Sequence, residues 1–328
     1  MKLATLAIAS YFARSWASPL LSARQNAGVT EGELADFKLF SQYSVASSCN
    51  NMNAPGDSII CGATGCPDAE ANGAVTVNSF IGSITDIRGY VAVDPVEAAI
   101  IVAFRGSASI ENWITNLVFT FIGCDLVDGC LVHTGFKAAW EEVRDAVFEG
   151  VATARKQHPD FKLVTTGHSL GGALATLAAG YLRKAGHELD LFTYGSPRVG
   201  NEAFASFITN QQGREYRITH LDDIVPRLPP ILLGYRHTSP EYWLHTGTDT
   251  TVDYGVDDIK LCDGTASRKC NGGTLGFGGE SHGHYFQKMG GCDGPPDAVA
   301  ALATTNANAQ ELPFIERLKA SGIDPNIQ

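Results

Sequence analysis

The chain has 328 residues, 44% of them hydrophobic and 18% charged, with a formal net charge of −11. Such an acidic surface repels nucleic acid and gains nothing from anionic lipid headgroups, so a neutral substrate is favoured over polyanionic partners. No run of about 18 apolar residues follows the N-terminus, so no transmembrane anchor is expected.

Residues 1–17 read as a secretory signal: Lys2 supplies a positive n-region, residues 3–9 are mostly apolar, and small Ser15 and Ala17 precede a cleavage site. Residues 18–24 follow as a short pro-segment ending at Arg24. Removing both takes the formal charge from −11 to −14, because Lys2, Arg14 and Arg24 leave and no acid does. Residues 25–292 form the expected body, since α/β folds of roughly 250 to 300 residues commonly keep one core. No Asn-x-Ser/Thr sequon is present, so N-glycosylation is not expected.

Eight cysteines fit an oxidising compartment. Three pairs lie close in sequence, Cys61 with Cys66, Cys124 with Cys130 and Cys262 with Cys270, which leaves Cys49 for Cys292. The last bridge would close nearly the whole body, worth up to about 5 kcal/mol by chain entropy. Zinc is the rival reading. No Cys-x-x-Cys occurs and the histidines are scattered, so no metal is expected.

Along the body, residues 98–104 form an apolar run ending at Arg105-Gly106, the pattern of a strand buried on both faces. Ile110, Trp113, Ile114 and Leu117 then fall at i, i+3, i+4 and i+7, with polar residues between them, the mark of a short amphipathic helix. Residues 137–158 carry apolar side chains at helical spacing and stop at Pro159, and residues 161–166 read as a strand. Residues 172–184 make an Ala/Leu-rich helix closed by Gly186. Two more strands are expected at 189–194 and 215–219. Strands alternating with helices predict an α/β sheet. After Cys292 the texture changes: Pro295-Pro296 breaks the chain, and residues 293–328 read as a tail, trimmed or loosely docked.

Between the strand at 161–166 and the helix at 172–184 stands Gly167-His168-Ser169-Leu170-Gly171. A serine hydroxyl is a poor nucleophile until a base takes its proton and donors hold the oxyanion that follows. A Gly-x-Ser-x-Gly elbow supplies the geometry, lifting the serine on a strained strand-to-helix turn and aiming the helix N-terminus at the reacting centre. Ser169 is therefore the candidate nucleophile of an ester hydrolase that needs no cofactor. An acid and then a histidine should follow it in the chain. Asp222 and Asp223 lie just beyond the strand at 215–219, and His282 and His284 lie near the end of the body. Spacing alone does not choose within either pair.

The segments Phe104-Arg-Gly-Ser107, Ile110-Glu-Asn-Trp113, Thr166 to Ala175, Tyr194 to Gly200, Arg217-Ile-Thr-His220, Asp223 to Pro230 and Ser239 to Trp243 occur in that order. With them the chain resembles the filamentous-fungal class 3 lipases, the Rhizomucor/Thermomyces group, from about Phe37 to Cys292. The resemblance implies an α/β-hydrolase fold with a central, mostly parallel sheet flanked by helices and a helical lid over the active site. It makes Asp223 the acid and His282 the base, and places the oxyanion hole at Ser107 and Leu170. Asp222 and His284 become neighbours, and His168 has a structural role.

The amphipathic segment holding Ile110, Trp113, Ile114 and Leu117 directly follows the oxyanion serine, where the resembled lipases carry a lid that rolls back at an oil–water interface. This chain has Ala108 where a member of the resembled group has an arginine directly after the oxyanion serine. The implied activity is secreted triacylglycerol hydrolysis at a lipid–water interface through an acyl-enzyme. Phospholipase A1 and feruloyl esterase are the rivals within the fold, the apolar lid speaking against the latter, and a non-catalytic surface-binding relative is the rival outside it.

Overall fold

The computed structural model describes residues 28–62, 65–107, 118–276 and 278–290. The signal, the pro-segment, the four apolar lid positions Ile110, Trp113, Ile114 and Leu117, Cys292 and the tail all lie outside these residues.

An eight-stranded sheet forms the centre, in the order β1 (Val75–Ile81), β2 (Arg88–Asp94), β3 (Ala99–Phe104), β6 (Lys162–His168), β7 (Asp190–Tyr194), β8 (Glu215–His220), β9 (Glu241–Leu244) and β10 (Ile259–Cys262). The five strands from β3 to β9 pair in parallel, while β1, β2 and β10 are antiparallel additions at the edges. A separate hairpin joins β4 (Phe121–Gly123) to β5 (Leu131–His133).

Strand β3 shows why the apolar run at 98–104 is continuous. Ile100, Val102 and Phe104 enter the core under helices α3 (Thr134–Gln157) and α4 (Leu170–Lys184), whereas Ala99, Ile101 and Ala103 enter the core under α1 (Glu31–Ala46). Successive side chains point to opposite faces, so a strand covered on both sides must be apolar throughout.

Helix α1 has no counterpart among the elements expected from sequence. It starts in a capping box, Thr30 with Glu33, and it buries polar Ser41, Gln42 and Ser44 along with Phe37, Phe40 and Tyr43. A helix enclosed on most sides loses the polar stripe that reveals amphipathic periodicity. Three hydroxyls from the sheet tie it down: Tyr194 donates to the Phe37 carbonyl at 2.6 Å, Thr166 to that of Phe40 at 3.1 Å and Tyr90 to that of Tyr43 at 2.9 Å.

Helix α3 begins three residues earlier than its apolar spacing predicts. His133 caps it, the Nδ1 atom accepting from the Gly135 and Phe136 N–H groups at 3.1 and 3.4 Å. Histidine is not among the usual capping residues, so composition does not announce this start. Helix α4 ends as expected, with Gly186 in the left-handed region at φ 93°. The short helices α2 (Pro67–Ala71), α5 (Glu202–Thr209) and α6 (Gly279–His282) complete the α-helices of the described residues, beside four 3-10 turns. Disulfides join Cys61 to Cys66, Cys124 to Cys130 and Cys262 to Cys270. The expected partner of Cys49 falls outside the described residues.

Candidate active site

Strand β6 runs to His168, one residue beyond which the chain turns into α4. Both glycines around the turn are dictated by contact. A Cβ on Gly167 would lie 2.3 Å from the Gly171 backbone, and one on Gly171 would lie 2.2 Å from the Phe104 carbonyl oxygen. Strand, helix and the end of β3 therefore cross with no room for a side chain. Between them Ser169 adopts φ 57°, ψ −127°, a conformation costly for any L-residue with a Cβ. Its N–H donates to the Tyr194 carbonyl at 2.9 Å, which holds the strained turn against β7.

Asp223 follows β8 and is fully buried. Its carboxylate accepts the Val225 N–H at 2.9 Å, the Tyr285 hydroxyl at 2.6 Å and His282 Nδ1 at 3.0 and 2.8 Å. The acid beside it faces elsewhere: Asp222 takes the Ser281 hydroxyl at 3.1 Å. His284 also turns away, its Nδ1 lying 2.9 Å from the Glu280 carbonyl at the surface. Of the two acids and two histidines that sequence left as alternatives, the geometry pairs Asp223 with His282.

His282 closes the four-residue helix α6 and is 1% exposed, as is Ser169. Among the described residues neither Ser169 Oγ nor His282 Nε2 has a hydrogen-bond partner. Both atoms are thus uncommitted, and no hydrogen bond joins them to each other. His168 links the two neighbourhoods, with its Nε2 2.8 Å from the His282 carbonyl and its ring 4.4 Å from the His282 ring.

The remaining sequence candidates border this centre. Ser107 follows Gly106, whose added Cβ would lie 3.6 Å from Ser169 Cβ, so the end of β3 runs beside the nucleophile. Leu170 opens α4, and N–H groups in a first helical turn have no helical acceptor. The arrangement brings together a serine on a strained turn, the first turn of α4, and an imidazole hydrogen-bonded to a buried carboxylate.

Several residues of this centre went unassigned in the sequence. Tyr285 bonds Asp223, and burial together with that carboxylate pushes its phenol well above its ordinary value, so it remains a donor. Gly195, at φ 58°, has no room for a Cβ, which would meet the Tyr285 hydroxyl at 2.7 Å, Asp223 Oδ2 at 2.9 Å and His282 Cε1 at 3.0 Å. Asn271 donates to the carbonyls of Leu221 and Asp223 at 3.2 and 2.9 Å, and Arg227 to those of Asp222 and Thr274 at 3.1 and 2.8 Å. Gly195 lies in the Tyr194 to Gly200 segment already picked out, and Tyr285 stands three residues after His282. Asn271 carries no local signal.

Comparison with known proteins gives the chain its relatives. The family model described as "Lipase (class 3)" matches residues 101–233. A protein named secreted mono- and diacylglycerol lipase 1 from Fusarium solani is 51% identical over 295 residues, 88% of each chain. A lipase of Rhizomucor miehei is 36% identical over 242 residues, 71% of this chain and 64% of its own length. The crystal structure of a mono- and diacylglycerol lipase from Aspergillus oryzae superposes with a TM-score of 0.74 at 42% identity, covering 80% of this chain and 98% of that one.

Proposed function

Because this chain belongs to the class 3 lipase family, and is thereby a secreted carboxylic-ester hydrolase of the α/β-hydrolase fold, we propose that Ser169, His282 and Asp223 perform its chemistry on acylglycerols at a lipid–water interface. The observation that carries the reading is the buried Asp223–His282 pair, with His282 Nε2 and Ser169 Oγ both uncommitted.

Ser169 Oγ attacks the ester carbonyl carbon while His282 Nε2 takes its proton. Asp223 holds the imidazole in the tautomer that exposes Nε2 as acceptor and stabilises the imidazolium that forms. The carbonyl oxygen, now an oxyanion, is held by the N–H groups of Ser107 and Leu170, each donor worth about 3 kcal/mol in the transition state. The tetrahedral adduct collapses, the C–O bond to glycerol breaks, and His282 returns its proton to the departing alkoxide. Water then attacks the acyl-enzyme with His282 again as base, releasing the fatty acid and restoring Ser169.

The apolar spacing of Ile110, Trp113, Ile114 and Leu117, where the resembled lipases carry a lid, supports action at a lipid surface. Triacylglycerol remains a substrate of this reading. The names of the relatives at 51% and 41% identity make mono- and diacylglycerols the substrates to set beside it.

The test is hydrolysis of emulsified mono-, di- and triacylglycerol, dispersed phospholipid and methyl ferulate, each below and above its solubility limit. Acylglycerol turnover that jumps at the solubility limit and disappears in Ser169→Ala is the expected result. Turnover confined to phospholipid or ferulate would replace the substrate class, and turnover surviving in Ser169→Ala would overturn the triad.

A further inference from the structure

We propose that His168 and His220 are positioning residues that hold the His282 turn by two consecutive backbone carbonyls. The inference rests on the triad reading above and extends it from the His282 ring to the main chain that carries the ring.

Helix α6 is a single turn of four residues, Gly279–His282, entered through Gly278 and left through Gly283. So short a helix has too few internal bonds to be stable by itself, and its glycines loosen it further. Asp223 and Tyr285 act on the side-chain end of His282 or on its acid. The backbone is held by other groups. His168 Nε2 lies 2.8 Å from the His282 carbonyl, and His220 Nδ1 lies 2.9 Å from the Ser281 carbonyl.

A carbonyl oxygen only accepts, so each of these ring nitrogens carries its proton. The two rings are consequently fixed in opposite tautomers. His168 is the Nε2–H form. His220 is the Nδ1–H form, and its Nε2 accepts the Tyr254 hydroxyl at 2.7 Å. Burial keeps both imidazoles below their ordinary pKa, with the neighbouring His282 adding to the effect on His168. The shift favours the neutral ring that each tautomer requires.

The two donors come from separate elements, His168 from the end of β6 and His220 from the end of β8. His168 directly precedes the nucleophile, so one side-chain hydrogen bond ties the main chain of Ser169's elbow to that of its base. A displacement of about 1 Å between reacting groups costs on the order of a hundredfold in rate. Loss of either donor frees the turn to make such a displacement; without His168 the His282 carbonyl loses its side-chain donor, while without His220 the Ser281 carbonyl keeps only the His284 N–H at 3.4 Å.

Opposite tautomers demand opposite replacements. A glutamine amide nitrogen reaches the place of a histidine Nε2, and an asparagine amide nitrogen the place of Nδ1. The experiment measures kcat and KM on a soluble ester, per active site titrated with a phosphonate that labels Ser169, so that misfolded protein does not count.

His168→Leu should lower kcat roughly tenfold to a hundredfold with KM changed by about twofold or less. His168→Gln should recover most of the loss and His168→Asn little of it, whereas for His220 the asparagine variant should recover and the glutamine variant should not. The downfield proton of His282 Nδ1–H should stay sharp in His168→Gln and broaden in His168→Leu. Unchanged kcat per titrated site in His168→Leu, or equal rescue by asparagine and glutamine, would overturn the inference. Should His168→Leu not fold, the glutamine and asparagine variants decide it. Failure of the triad itself shows separately, as hydrolysis persisting in Ser169→Ala or as no uptake of phosphonate.

Discussion

The Nδ1 atom of His282 stands 2.8 Å from Oδ2 of Asp223 and 3.0 Å from Oδ1, in a site where neither side chain is more than 1% exposed. A buried carboxylate is costly unless its lone pairs are satisfied. Here the Val225 N–H and the Tyr285 hydroxyl supply the other donors, so the charge that orients the imidazole is held in place before any substrate arrives.

Replacing Asp223 by asparagine should therefore leave the fold intact and remove the orienting charge. The amide offers Nδ1 a donor in place of an acceptor and favours the wrong tautomer of His282. Turnover on a soluble ester should drop by about ten-thousandfold with KM little changed. A loss smaller than about tenfold would rule out Asp223 as the acid.

Gly195→Ala tests how tightly the centre is packed from behind. The new methyl would meet the Tyr285 hydroxyl, Asp223 Oδ2 and His282 Cε1, all at 3.0 Å or less, so the pair has to shift. We expect kcat to fall about tenfold or more. Gly186→Ala is the control, because φ there is also positive, at 93°, but nothing lies within 4 Å of the added Cβ. It should cost about 1 kcal/mol of stability from the strained backbone and leave kcat alone. Equal activity losses in the two variants would mean that strain, not contact, matters at Gly195.

His133 gives acid sensitivity to the fold. Burial lowers its pKa to about 4 from an ordinary 6.5. As pH falls from the upper value to the lower, the unfolded chain binds a proton that the folded chain refuses. Stability is then lost, on the order of 3 kcal/mol at the bottom of that window. His133→Asn keeps an acceptor for the α3 cap without titrating. Thermal melts at pH 7 and pH 4.5 should show a smaller acid-induced drop for the variant, and parallel drops would contradict the assignment.

Glu215 should act with the opposite sign. Its carboxyl is raised from 4.5 to about 7, mainly by burial, with the Thr238 hydroxyl, Arg183 and Arg217 pulling the other way. The stability this neutral acid confers is complete below about pH 4.5 and lost as pH rises through 7, again on the order of 3 kcal/mol. Glu215→Gln should gain stability relative to the unsubstituted protein across that interval. Differential melts that stay level from pH 4.5 to 7.5 would refute it.

The elements most legible in sequence are those whose neighbours impose a simple pattern. Strand β3, covered on both faces, reads as an apolar run, and α4 reads from its composition and its closing glycine. Strand β1 is harder: its burial is partial and a register shift between Thr76 and Asn78 breaks the alternation. Strands β9 and β10 are four residues each, too short for a period to show. Helix α1 hides because it is enclosed; of its buried polar side chains, Gln42 reaches across the fold to Asp68, while the Ser41 hydroxyl donates to the Lys38 carbonyl of the same helix.

The sequence by itself determined the elbow at Ser169, because the glycines that let β3, β6 and α4 cross are needed by local sterics and sit next to the nucleophile in the chain. It also limited the acid and base to two positions each. Within each pair the resemblance chose Asp223 and His282, whereas spacing did not; the tertiary structure adds that these two, and not Asp222 or His284, are hydrogen-bonded to each other. Adjacent residues leave a turn in different directions, and which one meets its partner depends on how two segments 59 residues apart are docked. The same docking brought Tyr285, Gly195, His168 and His220 to bear on that pair. Their roles are set by distances across the fold, and such distances leave no periodic or local mark in the chain.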